Sequence, residues 1–223
     1  MKIPRSLVIT KWWPAVVPVL GLLLLDHGFG SEDGYDPWRV PPGQPAQMRT
    51  QLGYERKLTD TWFDSDAWGY PYERQVAAGG KTSEGEDPSL LKHTANCRST
   101  SLGTEHPVEF CEARLVDRNT IDFLFHHDCP GFNDKLRVQV KSGMFTCQYW
   151  TFYKGPMERA DFIWTTNRQK LTLDKQVFRK GDVIKGRIDF ECLQEATHPK
   201  FLEKWGKWPK TIKVYGVFKT IVE

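Results

Sequence analysis

The stretch Phe178–Cys192, FRKGDVIKGRIDFEC, decides the fold. A short basic turn, Arg179-Lys180-Gly181-Asp182, leads into strict alternation. Ile184, Gly186, Ile188, Phe190 and Cys192 fall on one side, with Lys185, Arg187, Asp189 and Glu191 on the other. Successive side chains of an extended chain point to opposite faces, so this pattern predicts a strand with one buried and one wet face.

Similar runs recur on both sides of it. Strands are predicted over Phe110–Val116, Thr120–His127, Leu136–Val140, Phe145–Tyr153, Ala160–Thr166, Lys170–Leu173, Val183–Cys192 and Thr211–Val222. Turn-forming Gly, Asn, Asp and Pro separate them, as in Asp128–Asn133 (DCPGFN) and Lys154-Gly155-Pro156. Eight short strands with little helix between them indicate an all-β domain, an antiparallel β-sandwich occupying residues 96–223. Leu136, Val138 and Val140 alternate with Lys135, Arg137, Gln139 and Lys141, as in an antiparallel sheet wet on one side. One short helix is expected over Thr197–Trp205, capped by Thr197. The Lys180-Gly181-Asp182-x-x-x-Gly186 piece resembles a turn of arrestin-like sandwiches, and no functional residue follows from it.

The chain begins differently. Lys2, Arg5 and Lys11 precede a 14-residue apolar run, Trp12–Leu25, with Gly28 and Gly30 beyond it. Basic start, apolar middle and small residues make residues 1–30 a secretory signal or, if uncleaved, a membrane anchor. As a helix the run reaches about 21 Å, short of the ~30 Å hydrocarbon core, which favours the signal. The expected location is therefore secreted, periplasmic or at the cell envelope.

Residues 31–95 read as an acidic, loosely ordered arm, rich in Gly, Pro, Asp, Glu and Ser. Residues 31–90 hold 6 basic and 11 acidic side chains, whereas residues 91–223 hold 22 and 16. The arm is thus complementary to the basic domain, whose outward Lys185, Arg187, Lys135, Arg137 and Lys141 offer it a seat. Its aromatics, Trp62, Phe63 and Trp68 among them, are too many for a freely solvated linker and predict packing on the domain or on a partner. Acidic residues interleaved through the basic part argue against a nucleic-acid surface.

Motif chemistry is sparse. Gly80-Lys81-Thr82 lacks the earlier glycine of a phosphate loop, and Asp64–Gly69 lacks the closing glutamate of a calcium loop. No G-x-S-x-G or H-E-x-x-H string occurs. The one ligand-rich string is His126-His127-Asp128-Cys129. Neighbouring strand residues point apart, so a metal site would combine His126 with Asp128 and a remote ligand such as His106. No other cofactor is indicated. Trp150, Phe152 and Trp164 are the candidate ligand-binding aromatics, for carbohydrate or protein at a surface.

The five cysteines all lie in residues 96–223 and form no C-x-x-C. In an oxidising compartment one or two disulfides are expected. Cys147 shares a face with Phe145 and Tyr149, and Cys192 with Ile188 and Phe190, so a Cys147–Cys192 bridge across the core suits the pattern. Cys97–Cys111 and Cys129–Cys147 are open alternatives, as are isolated buried thiols. These features predict an exported or membrane-tethered, non-catalytic binding or structural protein. The alternative is a secreted enzyme, possibly metal-dependent, that uses the His126–Cys129 turn.

Overall fold

The alternation at Val183–Cys192 becomes the longest strand among the described residues. In the computed structural model, residues 38–69, 92–129, 132–153, 162–197 and 209–223 are described, with backbone alone at 128, 129, 132, 152 and 153. Eleven strands follow in order: β1 Thr50–Gln51, β2 Gly53–Tyr54, β3 Ala95–Ser99, β4 His106–Val108, β5 Phe110–Asp117, β6 Thr120–Cys129, β7 Phe132–Lys141, β8 Met144–Tyr153, β9 Phe162–Leu173, β10 Val183–Ala196 and β11 Lys210–Ile221. One sheet has the order β1-β8-β7-β6-β5 and the other β2-β9-β10-β11-β3-β4. The pairings between these strands are antiparallel except β2 with β9, which is parallel.

The expected β-sandwich is present with more strands than the eight anticipated. Ala160–Thr166 and Lys170–Leu173 fuse into one strand, β9. A register shift at Glu191/Cys192 of its partner accommodates the change of phase. The short β1 to β4 carry too few residues to show a period. The signal segment, the Thr197–Trp205 helix beyond its cap, and the Gly80-Lys81-Thr82 string lie outside the described residues.

Each long strand turns its predicted inner face to the core. Ile184, Gly186, Ile188, Phe190 and Cys192 are buried on β10, facing Leu136, Val138 and Val140 of β7 and Phe145, Cys147 and Tyr149 of β8. At the centre, Phe218 of β11 meets Phe123 edge-on at 5.4 Å and Phe125 at 4.9 Å. Gly186 is required there, because a Cβ at that position would enter the Phe218 ring. Ser142 and Gly143, with φ of 51° and 74°, turn β7 into β8. This is the two-residue hairpin geometry that matches strand twist.

The arm contributes a strap, and Trp38–Glu223 forms one compact unit. Thr50 pairs with Phe145 in the first sheet, and Gly53 with Thr172 in the second. Leu52 alone separates β1 from β2, so these five residues cross the seam between β8 and β9. Side-chain amides fix the approach to it. Gln44 donates to the Phe162 carbonyl at 3.1 Å and accepts from the Trp164 amide at 3.0 Å. Gln169 donates to the Met48 carbonyl and to Thr50 Oγ1, both at 2.8 Å, and accepts from the Cys147 amide at 3.1 Å. On the opposite seam the chain end closes the gap, with the Glu223 amide donating to the Ala113 carbonyl at 2.9 Å.

Trp38 roofs the outer face of the first sheet. Arg114 lies 4.1 Å above its ring, and Arg114 and Arg137 approach the fully buried Asp122 at 3.5 and 2.8 Å. Gln139 donates to the other Asp122 oxygen at 2.9 Å, so the buried carboxylate is paired on both sides, as burial of charge demands. Farther along, residues 55–69 cover the outer face of the second sheet. Phe63 and Leu58 bury against Val217 as a small second core. Lys185 reaches Asp64 at 3.8 Å and the Phe63 ring at 5.1 Å. Fully burying a side chain such as Phe63 contributes about 2–3 kcal/mol.

Candidate functional site

At one end of the core the apolar pattern breaks. On β7 the inward series Val140, Val138, Leu136 continues to Asp134, which is 2 % exposed. On β8 the series Phe145, Cys147, Tyr149 continues to Thr151, and on β10 the inward phase runs past Cys192 to Gln194. Trp164 of β9 is buried beside them. The β3–β4 hairpin adds Ser99, Ser101 and His106, all buried. A polar pole thus sits inside the sandwich, built by strands that keep their inward phase after their apolar residues run out.

Five of these residues form a closed circuit, three of its links made by side chains and two by strand pairing. Tyr149 donates its hydroxyl to Asp134 Oδ2 at 3.3 Å. Asp134 and Thr151 are register partners on β7 and β8. Gln194 Nε2 reaches Thr151 Oγ1 across the sheets at 3.5 Å, and Gln194 is the register partner of Trp164. Trp164 meets Tyr149 edge to face with ring centres 6.5 Å apart, closing the loop. Asp134 Oδ1, Gln194 Oε1 and Trp164 Nε1 are buried and have no hydrogen-bond partner among the described residues. Buried groups left unpaired are uncommon in folded proteins and call for an explanation.

The charge on the pole is held by its neighbours. Ser101 Oγ donates to Asp134 Oδ2 at 3.1 Å, and His106 Nε2 lies 3.3 Å from the same oxygen. Burial pushes the Asp134 pKa upward, but the hydrogen bond from His106, those of the nearby serines and the imidazolium charge outweigh it. The carboxyl titrates below its ordinary range. The hydrogen bond to Asp134 raises His106 above its ordinary value, against the opposing effect of burial.

Serine, histidine and aspartate here do not form a relay. In a nucleophilic triad the imidazole uses one nitrogen for the serine and the other for the carboxylate. Ser101 Oγ and Asp134 Oδ2 both lie 3.3 Å from His106 Nε2, while Nδ1 faces the Thr104 carbonyl at 3.5 Å. The arrangement suits holding a charge in place.

The residues singled out by sequence scatter. His126 faces the outer side of its sheet, 3.1 Å from Glu112 and tilted against the Phe110 ring with centres 5.3 Å apart. His106 faces the interior, so the two histidines do not converge. His127, on the inner face, approaches His106 with ring centres 5.8 Å apart. The Asp128 side chain lies outside the described residues. Among the described residues no group of three His, Cys, Asp or Glu side chains is placed to hold a metal ion.

The aromatic candidates also lie inside. Trp150 is fully buried and Trp164 is 5 % exposed, so neither ring presents a surface platform. The Phe152 side chain lies outside the described residues. Trp150 sits on the outward phase of β8, yet the surface there is covered, which alternation alone does not reveal.

The Cys147–Cys192 bridge is corrected: both are free thiols, as are Cys97 and Cys111. They share inner faces of opposing sheets, but each sits among packed side chains, and Cys97 Sγ donates to the Val217 carbonyl at 3.4 Å. Burial raises all four thiol pKa values, which keeps them protonated and poorly nucleophilic.

The opposite end of the sandwich holds an open cleft of about 480 Å³. Its wall combines the β5–β6 turn (Arg118, Asn119), the β7–β8 turn (Ser142, Gly143) and the loop at Gln176–Phe178. Comparison of the chain with protein-family models, with curated proteins and with solved structures finds no match.

Proposed function

We propose that this chain is an exported or membrane-tethered, non-catalytic binding protein whose β-sandwich holds a small polar ligand in the polar pole of its core. The observation that carries this reading is the Asp134–Thr151–Gln194–Trp164–Tyr149 circuit with three buried polar atoms left unpartnered among the described residues. An apolar core needs no such ring, and leaving a buried donor or acceptor unmade costs about 1–3 kcal/mol each. A ligand that fills these positions recovers that energy, whereas a core selected for stability alone would carry apolar residues there. Export is supported by the basic, apolar and small-residue order of residues 1–30. Binding rather than turnover is favoured by the single imidazole nitrogen shared between Ser101 and Asp134.

The test is thermal denaturation of the full chain, purified from the exported fraction, against a panel of small polar solutes at matched ionic strength. At least one solute raises the melting temperature in wild type and does so less in Gln194→Leu, which removes one orphan acceptor at similar volume. A panel without any such shift, together with an ordered water filling the pole in a high-resolution crystal structure, overturns the reading.

A further inference from the structure

We propose that the cleft at the end of the sandwich away from the polar pole binds a small carboxylic acid, through its carboxylate and an attached apolar group. This second site does not rest on the polar pole. The cleft measures about 480 Å³, a volume typical of small-molecule sites. Its floor is the end of the core: Val140 is buried, and Leu52 and Phe178 pack on the core while still lining the cleft. Val177, which lines it too, is 70 % exposed. Apolar surface kept in a concavity favours a ligand that removes it from water.

The frame is held by the chain itself. The Leu52 amide donates to the Gly143 carbonyl at 2.9 Å, and the Asn119 amide to Asp117 Oδ1 at 2.8 Å. The loop after β9 is tied at both ends, by the Asp174 amide on the Lys185 carbonyl at 3.0 Å and the Gly181 amide on the Val222 carbonyl at 2.8 Å. A cleft framed in this way binds without the cost of ordering its walls.

Charge selects the head of the ligand. Arg118 is the charged residue of the lining, and among the described residues no carboxylate lines the cleft. Asp117, Asp174 and Asp182, near it in sequence, each accept a backbone N–H, from Asn119, Lys185 and Arg179. The lining therefore carries positive charge and favours an anion. A guanidinium matches a carboxylate with two parallel N–H donors, and the side-chain amides of Gln51, Asn119 and Gln176 add neutral donors to the same wall. A bare phosphate would satisfy the charge but leave the apolar floor uncovered. A carboxylate joined to an apolar group uses both.

The experiment titrates the full chain with sodium hexanoate, hexanamide, hexylammonium chloride and sodium acetate at matched ionic strength, with binding read by ligand-observed NMR. Hexanoate binds saturably and more tightly than the other three. Arg118→Gln lowers its affinity about fivefold, the scale of an exposed ion pair of good geometry, and leaves that of hexanamide unchanged. Val177→Ser weakens hexanoate and hexanamide together, by about twofold, through lost apolar cover. Gln194→Leu, in the polar pole, changes neither. Arg118 and Val177 are exposed, so their variants are read on folded protein. Hexanamide or hexylammonium binding as tightly as hexanoate overturns the carboxylate assignment, and acetate doing so overturns the apolar one. No saturable hexanoate binding, or binding that Gln194→Leu abolishes and Arg118→Gln spares, removes the ligand from the cleft. The polar pole is judged by its own solutes and stands or falls separately.

Discussion

Trp68 and Lys219 hold each other twice. The Trp68 indole N–H donates to the Lys219 carbonyl at 2.6 Å, and the Lys219 ammonium lies 4.0 Å above the same indole ring. That ammonium also donates to the Phe63 carbonyl at 2.6 Å. Burial lowers the Lys219 pKa, with Lys185 adding to the effect. One lysine therefore pins two turns of the arm to the second sheet. Trp68→Phe and Lys219→Met are each expected to cost about 1–2 kcal/mol, from a lost hydrogen bond and a lost cation–ring contact. The double variant should lose less than the sum, since both changes break one arrangement. Urea unfolding of the four proteins measures this, and full additivity would show that the contacts are independent.

Gly186 is fixed by the ring opposite it. Phe218 cannot swing aside, being fully buried between Phe123 and Phe125. Gly186→Ala should cost about 3 kcal/mol through overpacking. Adding Phe218→Leu should return part of that loss, because a smaller side chain makes room for the methyl. Chemical denaturation of both variants checks the sign, and a neutral Gly186→Ala would contradict the packing described.

The His106–Asp134 pair sets a pH window. A histidine whose pKa is raised by folding contributes stability in full below its ordinary value of 6.5, and that contribution is lost as pH rises through the raised value. A carboxylate whose pKa is lowered contributes above its ordinary 3.8 and loses the contribution as pH falls through the lowered value. The pair therefore adds most between about pH 4 and pH 6.5. His106→Gln should cost about 2 kcal/mol at pH 6 and much less at pH 9, the scale of a charge-assisted hydrogen bond. Stability curves of both proteins from pH 4 to 9 measure the difference, and a penalty independent of pH would remove the charge from the account.

The four interior thiols should be silent in the folded protein. Cys97, Cys111, Cys147 and Cys192 are each 2 % exposed or less, and burial disfavours the reactive thiolate. Iodoacetamide applied without reductant is expected to leave them unmodified until guanidinium unfolds the chain, after which all four are alkylated. Peptide mass spectrometry reads the outcome. Cys147 and Cys192 still unmodified after unfolding, but alkylated once reductant is added, would show that the purified protein bridges them.

The long strands were legible because their physics is local. Val183–Cys192 buries its apolar residues in the phase the sequence shows, as do Leu136, Val138 and Val140. The polar pole left a fainter mark: Asp134 and Gln194 occupy the inward phase of strands that are otherwise apolar, and a polar residue in that phase signals a site. His126-His127-Asp128-Cys129 drew attention through adjacency, yet adjacency on a strand separates side chains. The partners of His106 come from Ser101 nearby and Asp134 on another sheet, and only folding brings them together. Two-residue strands such as β1 and β2 have no period to read, and their places are fixed by side-chain amides far along the chain.

The strap that crosses between the sheets has a kinetic consequence. Its hydrogen bonds to Phe162, Trp164 and Gln169 join residues 118 to 121 positions apart. Contacts that distant carry a large loop-closure cost and form only after their docking surfaces exist. On a ribosome the strap emerges first, and it waits for β8 and β9 before it has anything to bind. The earliest part of the sandwich to be synthesised is thus the last to be secured, and the rate of that locking step governs how long the raw edges of both sheets stay open to other chains.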